Sequence, residues 1–152
     1  PHLAVLSPGP GTPSDFDVSG TIDALVRRGV PAFGVCLGLQ GMVEHFGGTL
    51  GVLDPPVHGK ASRIRVLGAK LFEGLPAEFT AGRYHSLYAL RDRLPAALRV
   101  TAETEDSVVM AAEHATLPLA AVQFHPETVM TLGGAVGLRL LVNVMSVLAR
   151  GA

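Results

Sequence analysis

The sequence contains a single cysteine, Cys36, so an intramolecular disulfide is excluded. Charged residues make up only 16% of the 152 residues and the formal net charge is -1, which disfavours both the broad basic surface of a nucleic-acid-binding protein and a polybasic membrane-binding segment. The most apolar late segment, 135–148, contains Arg139 and Asn143 and is too short to span a bilayer. We therefore expect no nucleic-acid partner and no membrane partner. Because no signal-like stretch opens the chain, we also expect a reducing, cytoplasmic location.

The length of the chain suits one domain, which we expect to span residues 1–152. Hydrophobic residues make up 48% of it, a high share for a small free-standing domain with so few charges, and part of the surface is therefore expected to meet a partner. An apolar segment typical of a buried strand, 3–6, stands almost at the start. We interpret the chain as cut from something longer.

The first part of the chain alternates between strand and helix patterns. The strand at 3–6 is followed by a loop rich in glycine and proline, a helix that ends near Arg28 with Asp17 or Ser19 as its cap, and a strand at 30–35. This alternation predicts an α/β fold with an open, mostly parallel central sheet flanked by helices.

The later segments are shorter and predict a small antiparallel portion. Apolar residues alternate with Arg63 and Arg65 in 62–67, which indicates a strand with a solvated face, and 98–104 and 108–113 flank a hairpin turn. We expect strand breaks at Pro55, Pro56, Gly68, 74–76 and Gly82, a further strand at 119–124 and a core-packed helix at 135–148.

Cys36 lies in the segment 34–38, Gly-Val-Cys-Leu-Gly, between the strand at 30–35 and a helical pattern that Gly47 ends. Glycines two residues before and two residues after it allow a sharp turn, because side chains there would collide with the neighbouring strand and helix. The start of the helix favours a thiolate and offers N–H groups to an oxyanion. A lone cysteine is ordinarily a small buried hydrophobe, but this setting favours a nucleophile.

His125, Pro126 and Glu127 follow the strand at 119–124 directly. A cysteine nucleophile needs a base and a group that orients the base, and this tripeptide supplies both. Functional groups gather beyond the carboxyl ends of parallel strands, where Cys36 and His125 both fall. Taken alone, the tripeptide is typical of a surface turn.

The remaining histidines lack the paired spacing of a zinc site, so we predict no metal site. His58 and His85 stand in polar interruptions between strands, as residues of binding loops often do. Taken singly, each is interpreted as an ordinary surface histidine.

Four segments resemble, in order and spacing, the motifs of the class I (triad-type) glutamine amidotransferases: 7–11, 34–40, 84–87 and 124–127. The resemblance covers nearly the whole chain. It implies the flavodoxin-like α/β fold of that family. Within the family, 40–48 and 58–60 are most similar to the glutaminase part of anthranilate synthase, especially its fused forms.

The resemblance implies that Cys36 attacks the side-chain amide of L-glutamine, that His125 shuttles protons and that Glu127 orients the histidine. A γ-glutamyl thioester forms, ammonia leaves, and water releases glutamate. The backbone N–H groups of Gly11 and Leu37 are implied to hold the oxyanion. The residues implied to bind the substrate are Gly9, Pro10, Gly11, Gln40, Ser86 and Leu87.

The resemblance also implies a partner, a chorismate-binding synthase domain or subunit that receives the ammonia. It implies no cofactor in this domain, and any Mg²⁺ site would belong to the partner. The whole enzyme would be a lyase of aromatic biosynthesis. Anthranilate synthase is the first expectation, and aminodeoxychorismate and phenazine-type synthases use similar glutaminases.

The chain departs from the family pattern in two places. Family members usually carry a strand, a helix and another strand before the segment 3–6, and Thr128 stands where serine is common. Two other functions stay open: a non-catalytic interaction module of a synthase, and a cysteine peptidase or other hydrolase on a related scaffold. Intact Cys36, His125 and Glu127 argue against the first, and Gln40 with Ser86 and Leu87 against the second.

Overall fold

The computed structural model describes residues 2–131 and 133–149, and its core is a sheet of seven strands between helices. The strands are β1 (Ala4–Leu6), β2 (Ala32–Val35), β3 (Leu50–Val66), β4 (Glu78–Ala89), β5 (Leu98–Thr104), β6 (Val109–His114) and β7 (Leu119–Val122). The helices are α1 (Val18–Arg27), α2 (Leu37–His45) and α3 (Val136–Val147), and short 3₁₀ turns join several elements. No helix among these residues is long and apolar enough to cross a membrane.

The sheet has the strand order β1-β2-β7-β6-β5-β3-β4. β2 pairs in parallel with β1 and with β7, and the other neighbouring pairs in the described chain are antiparallel. The α/β fold is confirmed, and the antiparallel portion is larger than the sequence indicated. The connections explain this, because the four residues between β6 and β7 are enough for a hairpin, whereas a parallel pair needs a long crossover.

Two hydrophobic clusters cover the two faces of the sheet, and β2 contributes to both. Phe33 and Val35 pack in the cluster that includes α3, while Ala32 packs in the cluster that includes α1 and α2. This alternation follows from the period of two along a strand. All four residues of β2 are buried, as expected for a parallel strand covered on both faces.

The predicted helices are present, with small corrections at their ends and faces. Of the two candidate caps of α1, Asp17 makes the cap, because its carboxylate accepts a hydrogen bond from the N–H of Gly20 at 3.2 Å. α3 buries Leu140 and Val144 but leaves Leu138 and Met145 exposed, so only one of its faces packs on the core.

The strand breaks predicted at Pro55, Pro56 and Gly82 are wrong. β3 continues through Pro55 and Pro56, which lie where the pairing register with β4 is interrupted, so their missing N–H groups cost no ladder hydrogen bond. β4 continues through Gly82, where a side chain would lie 2.7 Å from the hydroxyl of Thr128. His85 therefore lies inside β4 and not in an interruption between strands.

The predicted hairpin of β5 and β6 and the alternating strand around Ile64 are confirmed. Ile64 is fully buried while Arg63 and Arg65 are exposed, as the alternation indicated. Arg65 also forms an ion pair with Glu103, a buried carboxylate on β5. The face of β3 that carries Arg63 and Arg65 is thus exposed to solvent, and the positive charge of Arg65 is balanced by Glu103.

Candidate active site

Cys36 occupies the turn between β2 and α2. Its backbone N–H donates to the carbonyl of Val122 at 2.8 Å, which ties the turn to the end of β7. Its φ is 54° and its ψ is -96°, a conformation that side chains rarely adopt and that the surrounding structure must impose. A strained strand-to-helix turn of this kind presents the residue at its tip.

Gly34 and Gly38 make this turn possible. A Cβ on Gly34 would lie 2.7 Å from the carbonyl carbon of Gly38 and 3.0 Å from the Cβ of Ala121. A Cβ on Gly38 would lie 2.8 Å from the carbonyl oxygen of Leu6 on β1. Both glycines are therefore required by close backbone approach, as the sequence pattern around Cys36 indicated.

We expect Gly34→Ala to lower the free energy of unfolding by about 1–3 kcal/mol, because the atoms it would strike are mainly backbone and cannot move aside. Urea unfolding midpoints measure the change. Gly133→Ala is the matched control, because a Cβ there meets no atom of the described residues within 4 Å. Its effect is expected within about 0.5 kcal/mol. Equal midpoints for the two variants would show that the turn tolerates a side chain.

A pocket of about 120 Å³ opens in front of Cys36. It is lined by Gly9, Pro10, Gly11, Cys36, Gln40, His58, Tyr84, His85, Ser86 and Leu87. All six residues implied to bind the substrate are in this set. The structure therefore brings together segments that lie far apart in the sequence.

The glycine-rich loop before α1 is held in one shape at the mouth of this pocket. Gly11 has a φ of 82°, and a Cβ there would lie 2.5 Å from a carboxylate oxygen of Asp15. The same carboxylate accepts hydrogen bonds from the N–H of Thr12 at 2.7 Å and from its hydroxyl at 2.9 Å. Only glycine suits this position, and its backbone lines the pocket.

Burial raises the pKa of the Cys36 thiol to about 11. The backbone N–H of Leu37 and the side-chain amide of Gln123 act in the opposite direction, and the negative charge of Glu127 adds to the rise. The expectation that the start of α2 favours the thiolate is therefore only partly met, because desolvation outweighs the Leu37 hydrogen bond. At neutral pH this rise favours the protonated thiol of Cys36.

Alkylation of Cys36 by iodoacetamide tests this pKa. A raised pKa leaves less thiolate at a given pH, so the folded protein should react roughly 100-fold more slowly at pH 8 than the urea-unfolded chain. Its rate should still be climbing tenfold per pH unit at about pH 9.5, where an ordinary thiol has levelled off. Poor access alone would lower the rate without moving the midpoint. A midpoint near 8.5 in the folded protein would contradict the assignment.

His125 forms the hydrogen bond with Glu127 that the sequence suggested. The distance from Nδ1 of His125 to the carboxylate is 2.6 Å. The backbone of His125 is fixed as well, because its N–H donates to the carbonyl of Gly82 at 3.0 Å and its carbonyl accepts from the hydroxyls of Thr128 and Thr131. Thr128 thus supplies a hydroxyl that anchors the histidine.

The other ring nitrogen of His125, Nε2, is buried and has no hydrogen-bond partner within residues 2–131 and 133–149. Tyr84 contacts both His125 and Cys36. Its ring lies edge-on to the imidazole with centroids 5.2 Å apart, and its carbonyl oxygen is 3.9 Å from the Cys36 sulfur. Buried polar atoms are rarely left unpaired, and this one belongs to a ring that packs on Tyr84, whose carbonyl lies near the Cys36 sulfur, so it points to a function.

Sequence reasoning missed three buried polar residues around the pocket. His85 is 3% exposed and not a surface histidine, and burial lowers its pKa to about 4. Arg83 and Gln123 are also buried. The signal was present, since Arg83 and His85 share the face of β4 with buried Ala81. His58 lines the pocket from an exposed position.

The fold and the site define a family. Residues 1–144 match the family model "Glutamine amidotransferase class-I", so the chain belongs to the class I glutamine amidotransferases. It is 68% identical over 152 residues to an anthranilate synthase of Azospirillum brasilense, covering all of this chain and 21% of that protein. The family resemblance inferred from the motifs is thereby confirmed.

Two further relatives are named as an anthranilate synthase component and an aminodeoxychorismate synthase. The chain is 46% identical over 130 residues to anthranilate synthase component 2 of Azospirillum brasilense, covering 85% of this chain and 66% of that protein. It is 48% identical over 142 residues to an aminodeoxychorismate synthase of Streptomyces griseus, and the match covers 91% of this chain and 19% of that protein. The chain thus spans between about a fifth and two thirds of these relatives.

A solved structure from Thermoplasma acidophilum, that of a candidate GMP synthase component, superposes with a TM-score of 0.85 at 27% identity. The match covers 99% of this chain and 74% of that one. It supports the α/β architecture described above.

Proposed function

We propose that this domain hydrolyses L-glutamine to glutamate and ammonia through a γ-glutamyl thioester on Cys36. The observation that carries the proposal is the pocket, where Cys36 faces the glycine-rich loop, Gln40 and the 86–87 segment in one concave surface. Those are the residues that the family motifs associate with glutamine. A small pocket with few polar groups and one nucleophile fits a single amino-acid side chain.

The chemistry assigns one step to each group. The Cys36 sulfur attacks the amide carbon of glutamine, and the N–H groups of Leu37 and Gly11 receive the oxyanion. His125 takes the thiol proton and gives it to the departing nitrogen, which leaves as ammonia. Water, deprotonated by His125, then attacks the thioester and releases glutamate and the free thiol. Glu127 holds the imidazole in one orientation and stabilises its charged form.

Two features of the resting site support this sequence of steps. Burial favours the protonated thiol of Cys36, and Nε2 of His125 is a buried nitrogen with no hydrogen-bond partner among the described residues. Transfer of the proton from sulfur to that nitrogen satisfies the buried nitrogen and creates the thiolate together. We therefore expect ionisation to accompany substrate binding and not to precede it.

The ammonia is proposed to pass to a chorismate-binding synthase domain or subunit, within a cytoplasmic lyase of aromatic biosynthesis. The identity to anthranilate synthase favours anthranilate, and hence tryptophan biosynthesis, as the destination. The aminodeoxychorismate synthase relative keeps a second destination open. No cofactor is proposed in this domain, and any Mg²⁺ is assigned to the synthase part.

The test is made on the intact protein with glutamine and chorismate. Glutamate is measured by a coupled assay, and the aromatic product is identified by mass spectrometry. Anthranilate together with glutamate supports the proposal, whereas aminodeoxychorismate would change only the assigned product of the synthase. Absence of glutamate from folded protein, with synthase partner present, would favour a non-catalytic module. A glutamine-mimicking electrophile should label Cys36, and failure to label alongside peptide cleavage would favour a peptidase.

A further inference from the structure

Gln123 follows β7 and lies fully buried between two residues of the site. Its side-chain oxygen accepts a hydrogen bond from Nε2 of Gln40 at 3.3 Å. Its side-chain nitrogen lies 3.5 Å from the sulfur of Cys36. The segment around it, 119–124, is otherwise apolar, so an amide at this position needs partners on both of its ends, and it has them.

A second run of hydrogen bonds ends on the carbonyl of Leu87, and its direction is set by Arg83, which can only donate. Its Nε donates to Nε2 of His85 at 3.0 Å, so that ring nitrogen is an acceptor. The proton of the neutral imidazole is therefore on Nδ1. That N–H donates to the carbonyl of Leu87 at 2.8 Å.

The carbonyl of Leu87 in turn fixes the amide of Gln40. A carbonyl only accepts, so the group of Gln40 that lies 3.2 Å from it is the NH₂ group. The same NH₂ group reaches the oxygen of Gln123 with its second hydrogen. Gln123 must then turn its own NH₂ group to the Cys36 sulfur. The orientation of both glutamine amides therefore follows from the carbonyl of Leu87, which can only accept.

We propose that Gln123 is a positioning residue for the nucleophile, which holds the Cys36 sulfur in place with an N–H donor and stabilises the sulfur when it is ionised. This inference rests on the proposed role of Cys36. Hydrogen bonds to an ionised acceptor are stronger than those to a neutral one, so the contact gains strength as the thiolate forms. Gln40 lines the pocket and also holds Gln123, which links the substrate surface to the sulfur.

The main variant is Gln123→Met, which keeps the length of the side chain and removes the donor. The rate of Cys36 alkylation by iodoacetamide is followed by mass spectrometry in the intact protein. It is expected to fall about tenfold at each pH between about 8 and 9.5, because the fraction of Cys36 present as thiolate falls about tenfold. In glutamine turnover, kcat should fall while KM changes little, because Gln123 does not line the pocket.

Asn143→Leu is the matched control for loss of a buried amide. Asn143 is buried and its NH₂ group donates to the carbonyls of Leu71 and Glu73, remote from the sulfur. The Asn143→Leu variant should unfold at a lower urea concentration than wild type, and the pH dependence of Cys36 alkylation should not change. If Gln123→Met does not fold, Gln40→Met serves instead, because it frees the amide of Gln123 to turn and should also slow alkylation.

An unchanged alkylation profile in folded Gln123→Met would overturn the inference, as would an equal fall in Asn143→Leu. The proposed function fails separately, since alkylation needs no glutamine turnover. If wild type releases no glutamate but Gln123→Met alkylates more slowly than wild type, the glutaminase proposal is rejected and the role of Gln123 stands. If wild type releases glutamate but the two proteins alkylate at the same rate, the role of Gln123 is rejected and the glutaminase proposal stands.

Discussion

Cys36→Ser is expected to lower glutamate release by the intact protein at least about 10⁴-fold, because the substitution removes the atom proposed to form the covalent bond. An alcohol is far less acidic than a thiol, and this site already disfavours ionisation by burying the group. The oxygen also sits closer to its Cβ than sulfur does, so the contacts that Gln123 and Tyr84 make with the sulfur would lengthen. The coupled glutamate assay measures the loss.

The control for Cys36→Ser is the same variant supplied with ammonium chloride in place of glutamine. Under the proposed function, free ammonia enters the synthase reaction directly, so formation of the aromatic product should persist at the wild-type rate. Mass spectrometry should find no glutamyl adduct on the variant under conditions in which wild type is acylated. Wild-type glutamate release from the variant would reject Cys36 as the nucleophile. Loss of the ammonium-dependent activity would instead indicate damage to the fold or to the synthase contact.

The nucleophile turn could be predicted from the sequence because its constraints are local. Gly34 and Gly38 are required within five residues of chain, and a strand pattern and a helix pattern stand on either side of them. The same holds for His125 and Glu127, whose hydrogen bond spans two residues. Local spacing determines such contacts before any tertiary fold is known.

The hydrogen-bond chain behind the sulfur could not be predicted in the same way. Gln40 and Gln123 are 83 residues apart, and Gln123 and Cys36 are 87 residues apart, so only the pairing of β2 with β7 brings them together. His85 was interpreted as a surface residue because its polarity was considered without the alternation of β4. Buried polar residues in a strand of apolar neighbours are the signal that would have identified both His85 and Gln123.

The extent of the antiparallel sheet depended on the same kind of tertiary information. The positions of glycine and proline predicted strand breaks at Pro55 and Gly82, but in β3 the prolines lie where the pairing register is irregular, so the strand continues. In β4, Gly82 makes room for the turn that carries Thr128 and follows His125. That glycine serves the site through packing and not by ending a strand. Glycine and proline therefore indicate special backbone positions more reliably than they indicate the ends of strands.

His125→Ala is expected to lower the rate of thioester formation by about 10²–10⁴-fold, because it removes the base proposed to take the thiol proton. Tyr84 packs against the imidazole through its ring, and His85 has both ring nitrogens engaged, so neither substitutes for His125. Acylation of Cys36 by glutamine, followed by mass spectrometry after rapid quenching, measures the step directly. Glu127→Gln is the matched variant, since it keeps a hydrogen-bond acceptor for Nδ1, and its loss should be smaller.

Chemical rescue separates a proton-transfer role of His125 from a structural one. The alanine variant leaves a space beside the Tyr84 ring that free imidazole can enter, and added imidazole should restore part of the acylation with a dependence on its neutral form. A packing defect would not respond in this way, because the added base restores no backbone contact. The backbone N–H of residue 125 can still bond to Gly82, so the fold should survive the substitution. Normal acylation in His125→Ala without imidazole would refute the assignment, because the protonated thiol of Cys36 would then react without the base that its raised pKa demands.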